Sequence, residues 1–122
     1  MTDKPLALII EDDVDLASIF SDALQAAQFT TEIIADGAMA QNRLKEMVPQ
    51  LVVLDLHLPH VSGETLLHQI RSTPALAGIK VVIASADPIT ADMLNSDSDL
   101  VLVKPVSFSQ LRDLAQRLRS AD

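Results

Sequence analysis

The ten residues Leu51–His60, LVVLDLHLPH, hold a contradiction. Leu51 to Leu54 form a short, continuous apolar run, the pattern of a strand buried on both faces. Asp55 then places a carboxylate where the buried strand would be expected to go on. His57, Leu58 and Pro59 follow at once, and Pro59 turns the chain out of the strand. A strand that ends abruptly on an acid positions that acid at the mouth of a sheet.

The flanking sequence repeats the pattern. Leu6–Ile10 (LALII), Thr30–Ile34 (TTEII), Lys80–Ser85 (KVVIAS) and the LVLV run at 100–103 read as four further strands. Between them, apolar residues recur at helical spacing: Leu16, Phe20, Ala23, Leu24 and Ala27; Ala40, Leu44 and Met47; Leu66, Leu67 and Ile70. Asp36-Gly37 makes a turn before the second of these segments, and Ser62-Gly63 precedes the third, with Ser62 its candidate cap. A short polar segment from Pro88 to about Leu94 separates the fourth and fifth strands. In the final helix Ser107 is the expected cap, Gln110 stands at the capping-box position, and Phe108, Leu111, Leu114, Ala115 and Leu118 form one apolar face. Five apolar strands alternating with about five helices predict a doubly wound α/β domain whose sheet is parallel and covered on both sides. Its ligands belong beyond the carboxyl ends of the strands.

The 122 residues suit one domain, 1–122 with a core of about 5–120, able to bury roughly two-thirds of its unfolded surface. A net charge of −8 opposes tracking of a phosphate backbone, and 2% aromatic content with no Trp or Tyr offers no stacking platform for bases, so no direct nucleic-acid binding is expected. No apolar run approaches the ~18 residues of a membrane span. The first residues carry neither a basic n-region nor a cleavage site. With no Cys there is no disulfide framework or thiolate zinc site. A cytoplasmic protein is expected.

The polar residues converge on one edge. Strand one runs into Glu11, Asp12 and Asp13, strand three into Asp55, strand four into Ser85 and strand five into Lys104-Pro105. Each of these residue types is ordinary at a strand end; all of them at the carboxyl edge of one sheet make a site. Clustered carboxylates repel and call for a cation. Hard oxygen ligands without His or Cys partners favour Mg²⁺. A carboxylate set, Mg²⁺, a hydroxyl and a lysine together suit a phosphoryl group.

At this point the chain resembles the receiver domain of two-component response regulators. The resemblance runs over essentially the whole chain and rests on LIIEDD, VVLDLHLPHVSGETLL, VVIASA and VLVKPV, in that order. It implies a flavodoxin-like (βα)5 sandwich with strand order 2-1-3-4-5. It implies that Asp55 is the phosphoacceptor and a metal ligand, that Asp12 binds Mg²⁺ directly, that Glu11 acts through water, and that the backbone carbonyl of His57 completes the protein ligands. Ser85 is then the hydroxyl residue that turns toward the phosphoryl group, Lys104 the family's lysine, and Lys104-Pro105 a cis peptide. Asp13 competes for a place in the acidic pair, but the family's pattern of two acids directly after the strand selects Glu11 and Asp12, and Asp55 lies 43 positions after Asp12, as that pattern implies. Asp13 then starts the first helix. The implied partners are a histidine kinase or phosphotransfer protein upstream, and downstream another protein or a C-terminal output domain, with a homodimer formed on phosphorylation. The chain is expected not to be an enzyme beyond acting on its own Asp55.

The sequence also departs from that family. Val101 stands three residues before Lys104, where such receivers usually carry Tyr or Phe, and the 19 positions from Ser85 to Lys104 shorten the usual interval, so a short or distorted fourth helix is expected. The alternative is a pseudo-receiver, a phosphorylation-independent protein-binding module, whose usual signature is a lost acid or lysine. An aspartyl-nucleophile phosphatase would want an acid two residues after Asp55, where His57 stands. A flavodoxin-like cofactor binder lacks its phosphate loop and aromatics here. His57, His60 and His68 are expected as exposed side chains, and the aspartates of NSDSD at 95–99 as a solvated loop.

Overall fold

The computed structural model describes residues 4–87 and 100–120. The elements follow the apolar runs closely: β1 (Leu6–Ile10), α1 (Val14–Ala26), β2 (Thr30–Ile34), α2 (Gly37–Glu46), β3 (Leu51–Asp55), α3 (Gly63–Ser72), β4 (Lys80–Ser85), β5 (Leu100–Val103) and a final helix, α4 (Phe108–Ser120). The five strands form one parallel sheet in the order β2-β1-β3-β4-β5. The predicted short helix between β4 and β5 falls on 88–99, outside the described residues.

Strand alternation divides the core into two layers. Ala7, Ile9, Leu51, Val53 and Val82 pack with Ala17, Phe20, Ala23 and Leu24 of α1 and Leu111, Leu114 and Ala115 of α4. Leu8, Ile10, Val52, Leu54, Val81 and Ile83 pack on the other face with Ala40 and Leu44 of α2 and Leu66, Leu67 and Ile70 of α3. All five residues of β3 are buried, because the strand has paired neighbours on both edges and helices on both faces. Phe108 departs from the predicted apolar face of the last helix. It is 38% exposed, with the Arg112 guanidinium 5.7 Å from its ring centroid.

Polar caps set the helix starts. Asp13 Oδ1 accepts from the Leu16 N–H, Asp36 Oδ1 from Ala38 and Met39, Ser62 Oγ from Thr65, and Ser107 Oγ from Gln110. These satisfy N–H groups that have no partner within the helix. Asp36 and Gly37, expected as a turn, are the N-cap and first residue of α2.

Gly37 is required by a close approach. A Cβ there would lie 1.8 Å from the Val61 carbonyl oxygen, a backbone atom that cannot rotate away, whereas one at Gly78 would meet nothing within 4 Å. Gly37→Ala is therefore expected to lower stability by about 1–3 kcal/mol through forced backbone displacement. Gly78→Ala is expected to be neutral or to stabilise by up to about 1 kcal/mol. Urea unfolding midpoints of the two variants check the contrast.

Candidate functional site

The carboxyl ends of the strands bring the predicted acids together. Glu11 follows β1 directly, and its N–H still donates to the Ile34 carbonyl at 3.1 Å, so it is held as firmly as a strand residue. Asp55 closes β3, paired in register with Ala84 of β4. Glu11 and Asp55 are buried while Asp12 is exposed, and carboxylate oxygens of the three lie within 4.8 Å of one another. Asp13 is not part of this group: its side chain caps α1, and its N–H donates to Glu11 Oε2 at 3.2 Å.

Lys104 reaches into the acids from the end of β5. Its Nζ lies 2.9 Å from Glu11 Oε1 and 3.5 Å from Asp55 Oδ1, and its N–H donates to the Ser85 carbonyl at 2.8 Å. The peptide that follows, Lys104-Pro105, is cis, as the resemblance implies. Burial pushes the Glu11 carboxyl above its ordinary value, the Lys104 hydrogen bond pulls it back, and the Asp55 charge pushes it up again. Burial works against the Lys104 charge, but its bonds to Glu11 and the two carboxylate charges outweigh burial and hold its pKa above the ordinary lysine value. The ammonium therefore stays charged at neutral pH. One ammonium against three carboxylates leaves the cluster short of positive charge, and its oxygen-only donors fit a hard divalent cation.

Of the remaining predicted residues, His57 and Ser85 lie at the same carboxyl edge of the sheet. The His57 N–H donates to Asp55 Oδ1 at 3.3 Å, which places its peptide beside the Asp55 carboxylate while its side chain is exposed, as expected. Ser85 is fully buried at the end of β4. Its Oγ is engaged locally: it accepts from the Asp87 N–H at 3.1 Å and donates to the Asp87 carbonyl at 3.4 Å. Val101 pairs with Ile83 and packs half-buried against the α2–α3 layer. Gly63 packs against the main chain of Asp55, where a Cβ would lie 2.3 Å from the Asp55 carbonyl oxygen. His60 and His68 are exposed as expected, but His60 Nδ1 is hydrogen-bonded to Asp36 Oδ2, a pairing across 24 positions that loop composition did not announce. The NSDSD aspartates lie outside the described residues.

Known proteins with this pattern are numerous. Residues 7–116 match the family model described as the response regulator receiver domain, and the chain belongs to that family. It is 31% identical over 122 residues to the sensor histidine kinase TmoS of Ectopseudomonas mendocina, covering 98% of this chain and 12% of that protein. It is 32% identical over 119 residues to the DNA-binding response regulator MtrA of Mycobacterium tuberculosis, covering 94% of this chain and 51% of MtrA. The chain thus spans about half of MtrA and a small part of TmoS. Among solved structures, the CheY-like receiver domain of Methylobacillus flagellatus superposes with a TM-score of 0.83 at 27% identity, covering 94% and 98% of the two chains. The bacteriophytochrome response regulator RtBRR gives 0.84 at 27%, covering 98% of this chain and 80% of that one. No helix among the described residues is long and apolar enough to cross a membrane.

The Lys104 bridge makes a measurable demand. Lys104→Met leaves two buried carboxylates facing each other and is expected to cost about 1–3 kcal/mol, less than a fully buried pair because the ammonium is partly solvated. Glu11→Gln together with Lys104→Met should cost less than the sum of the two single changes, and a double-mutant cycle on urea unfolding measures that coupling.

Proposed function

We propose that this receiver domain accepts a phosphoryl group on Asp55 from a phosphohistidine of a histidine kinase or phosphotransfer protein, with Mg²⁺ as cofactor. One observation carries the proposal: the buried Asp55 carboxylate, fixed at the end of a strand paired on both sides, clusters with Glu11 and Asp12 and lies 3.5 Å from the Lys104 ammonium.

Asp12, Asp55 and the His57 carbonyl would hold the metal directly, and Glu11 through water. When bound, Mg²⁺ supplies positive charge against the phosphoryl oxygens and the entering carboxylate. An Asp55 carboxylate oxygen attacks phosphorus. The new O–P bond forms as the P–N bond of the donor breaks, and the leaving imidazole keeps that electron pair and takes up a proton. The chain's own contribution is placement and charge neutralisation rather than acid-base chemistry. Asp55 is aimed by β3 and by the His57 N–H on its Oδ1. Lys104, already between Glu11 and Asp55, moves a short distance to an oxygen of the acyl phosphate. Ser85 donates its hydroxyl to another, and to do so it gives up the bond it donates to the Asp87 carbonyl, while its oxygen can still accept from the Asp87 N–H.

That exchange supplies a readout that needs no aromatic at position 101. The phosphoryl group adds about −1.5 to −2 charge at the sheet edge. Ser85 and Lys104 convert it into a changed main chain at Asp87 and at the end of β5. The surface so altered would bind a downstream protein or a C-terminal output domain, with homodimerisation on phosphorylation as one outcome, in the cytoplasm. The domain is then a signalling module and not an enzyme, beyond acting on its own Asp55. The pseudo-receiver alternative is disfavoured by a complete set of acids and lysine within contact.

Incubation with acetyl phosphate and Mg²⁺, read by intact mass, is expected to give one phosphoryl adduct on the wild type and none on Asp55→Asn. Chelation of the metal should suppress the wild-type adduct. No adduct from acetyl phosphate or from a cognate kinase would favour the pseudo-receiver.

A further inference from the structure

One contact between charged or titratable side chains near the site takes no part in the chemistry above. The loop 57–62 between β3 and α3 is docked on the first turn of α2 by three consecutive residues. The Pro59 carbonyl accepts from the Gly37 N–H at 3.1 Å. His60 Nδ1 bonds Asp36 Oδ2, while the other oxygen of that carboxylate caps α2. The Val61 carbonyl occupies the space that a Cβ on residue 37 would need. The same loop is tied to the nucleophile by the His57 N–H on Asp55 Oδ1 at 3.3 Å, and its far end is closed onto the next residue by the Gly63 N–H on the Leu56 carbonyl at 3.1 Å.

His60 is set in the left-handed region, at φ 70°, which glycine adopts freely and which histidine tolerates better than most residues. Its side chain is 71% exposed, so its ring contributes little packing; the contact with Asp36, itself only 22% exposed, is what the ring does. With the carboxylate accepting, Nδ1 carries the proton. The Asp36 carboxyl is held below its ordinary value, first by the Met39 N–H and then by the His60 ring. It is thus an anion shared between the helix and the loop.

We propose that His60 is a positioning residue: through Asp36 it holds the β3–α3 loop against α2, fixes the His57 peptide beside Asp55, and so raises the affinity of the acidic cluster for a divalent cation. This rests on the metal-assisted reading of the cluster given above. Partners that orient a metal-binding group commonly matter about 10-fold or more in affinity, although they touch no metal.

The test uses His60→Gly, which keeps the left-handed backbone and removes the ring, and Asp36→Ser, which keeps a good helix cap and removes the oxygen that His60 uses. Mg²⁺ affinity is read from amide shifts in an NMR titration, thermal unfolding is followed on the same samples, and adduct formation from acetyl phosphate is read at saturating Mg²⁺. Each variant is expected to bind Mg²⁺ about 10-fold more weakly than wild type. The double variant should be no weaker than either single one. Adduct formation at saturating Mg²⁺ should stay near wild type, and the His60→Gly unfolding midpoint should not fall. Unchanged Mg²⁺ affinity in His60→Gly overturns the inference, as do additive losses, or a loss of affinity that tracks a fall in the unfolding midpoint. A wild type that binds no Mg²⁺ overturns the reading of the cluster itself, and the inference with it.

Discussion

A lysine ammonium paired with two of three clustered carboxylates is the interaction on which the rest of this structure depends. At an effective dielectric of about 20, two like charges 4 Å apart repel by roughly 4 kcal/mol. Carboxylate oxygens of Glu11, Asp12 and Asp55 come within 4.8 Å of one another, close to that separation, and two of the three residues are buried. Lys104 offsets part of this repulsion and cannot offset all of it. Such a cluster persists only if the backbone beneath it cannot yield. That explains why Glu11 remains hydrogen-bonded to β2, why Asp55 ends a strand with all residues buried, and why Gly63 lets the next helix come up against the Asp55 carbonyl. The apolar sheet supplies the stiffness, and the uncompensated negative charge is the capacity for a cation.

Much of this was legible in the sequence, for a physical reason. In a parallel sheet every strand points the same way, so a polar residue ending an apolar run is assigned to the same edge as every other such residue. Glu11, Asp55, Ser85 and Lys104 could be placed together from their positions at run ends alone. The caps were legible because Asp13, Ser62 and Ser107 each precede a run of helical periodicity. The choice between Asp13 and the acidic pair followed, since a residue capping α1 is not free to serve the pocket.

Other features depend on distances that periodicity does not encode. That Lys104 bonds Glu11 more closely than Asp55 is a matter of ångströms between residues 93 positions apart. The Asp36–His60 pairing required knowing that α2 and the β3–α3 loop are neighbours, and that His60 adopts a left-handed backbone. Phe108 sits on the right helical stripe to be buried, but at the first position of its helix it is left partly exposed under Arg112. The local engagement of Ser85 with Asp87 was equally invisible, because a strand-end hydroxyl has several main-chain partners within reach. A hydroxyl has one proton to donate, so any other acceptor for Ser85 must compete with the bond it gives to the Asp87 carbonyl.

The central claim is that the three acids form one site that needs a divalent cation, and thermal unfolding tests it most directly. A cation that binds only the folded chain stabilises it in proportion to the logarithm of its concentration above the dissociation constant. Circular dichroism at 222 nm should show the wild-type midpoint rising with Mg²⁺ beyond the effect of NaCl at equal ionic strength. The rise should be lost in Asp12→Asn and kept in Asp113→Asn, whose carboxylate is paired with Arg112. A midpoint indifferent to Mg²⁺, or an equal rise in Asp12→Asn, would contradict the account.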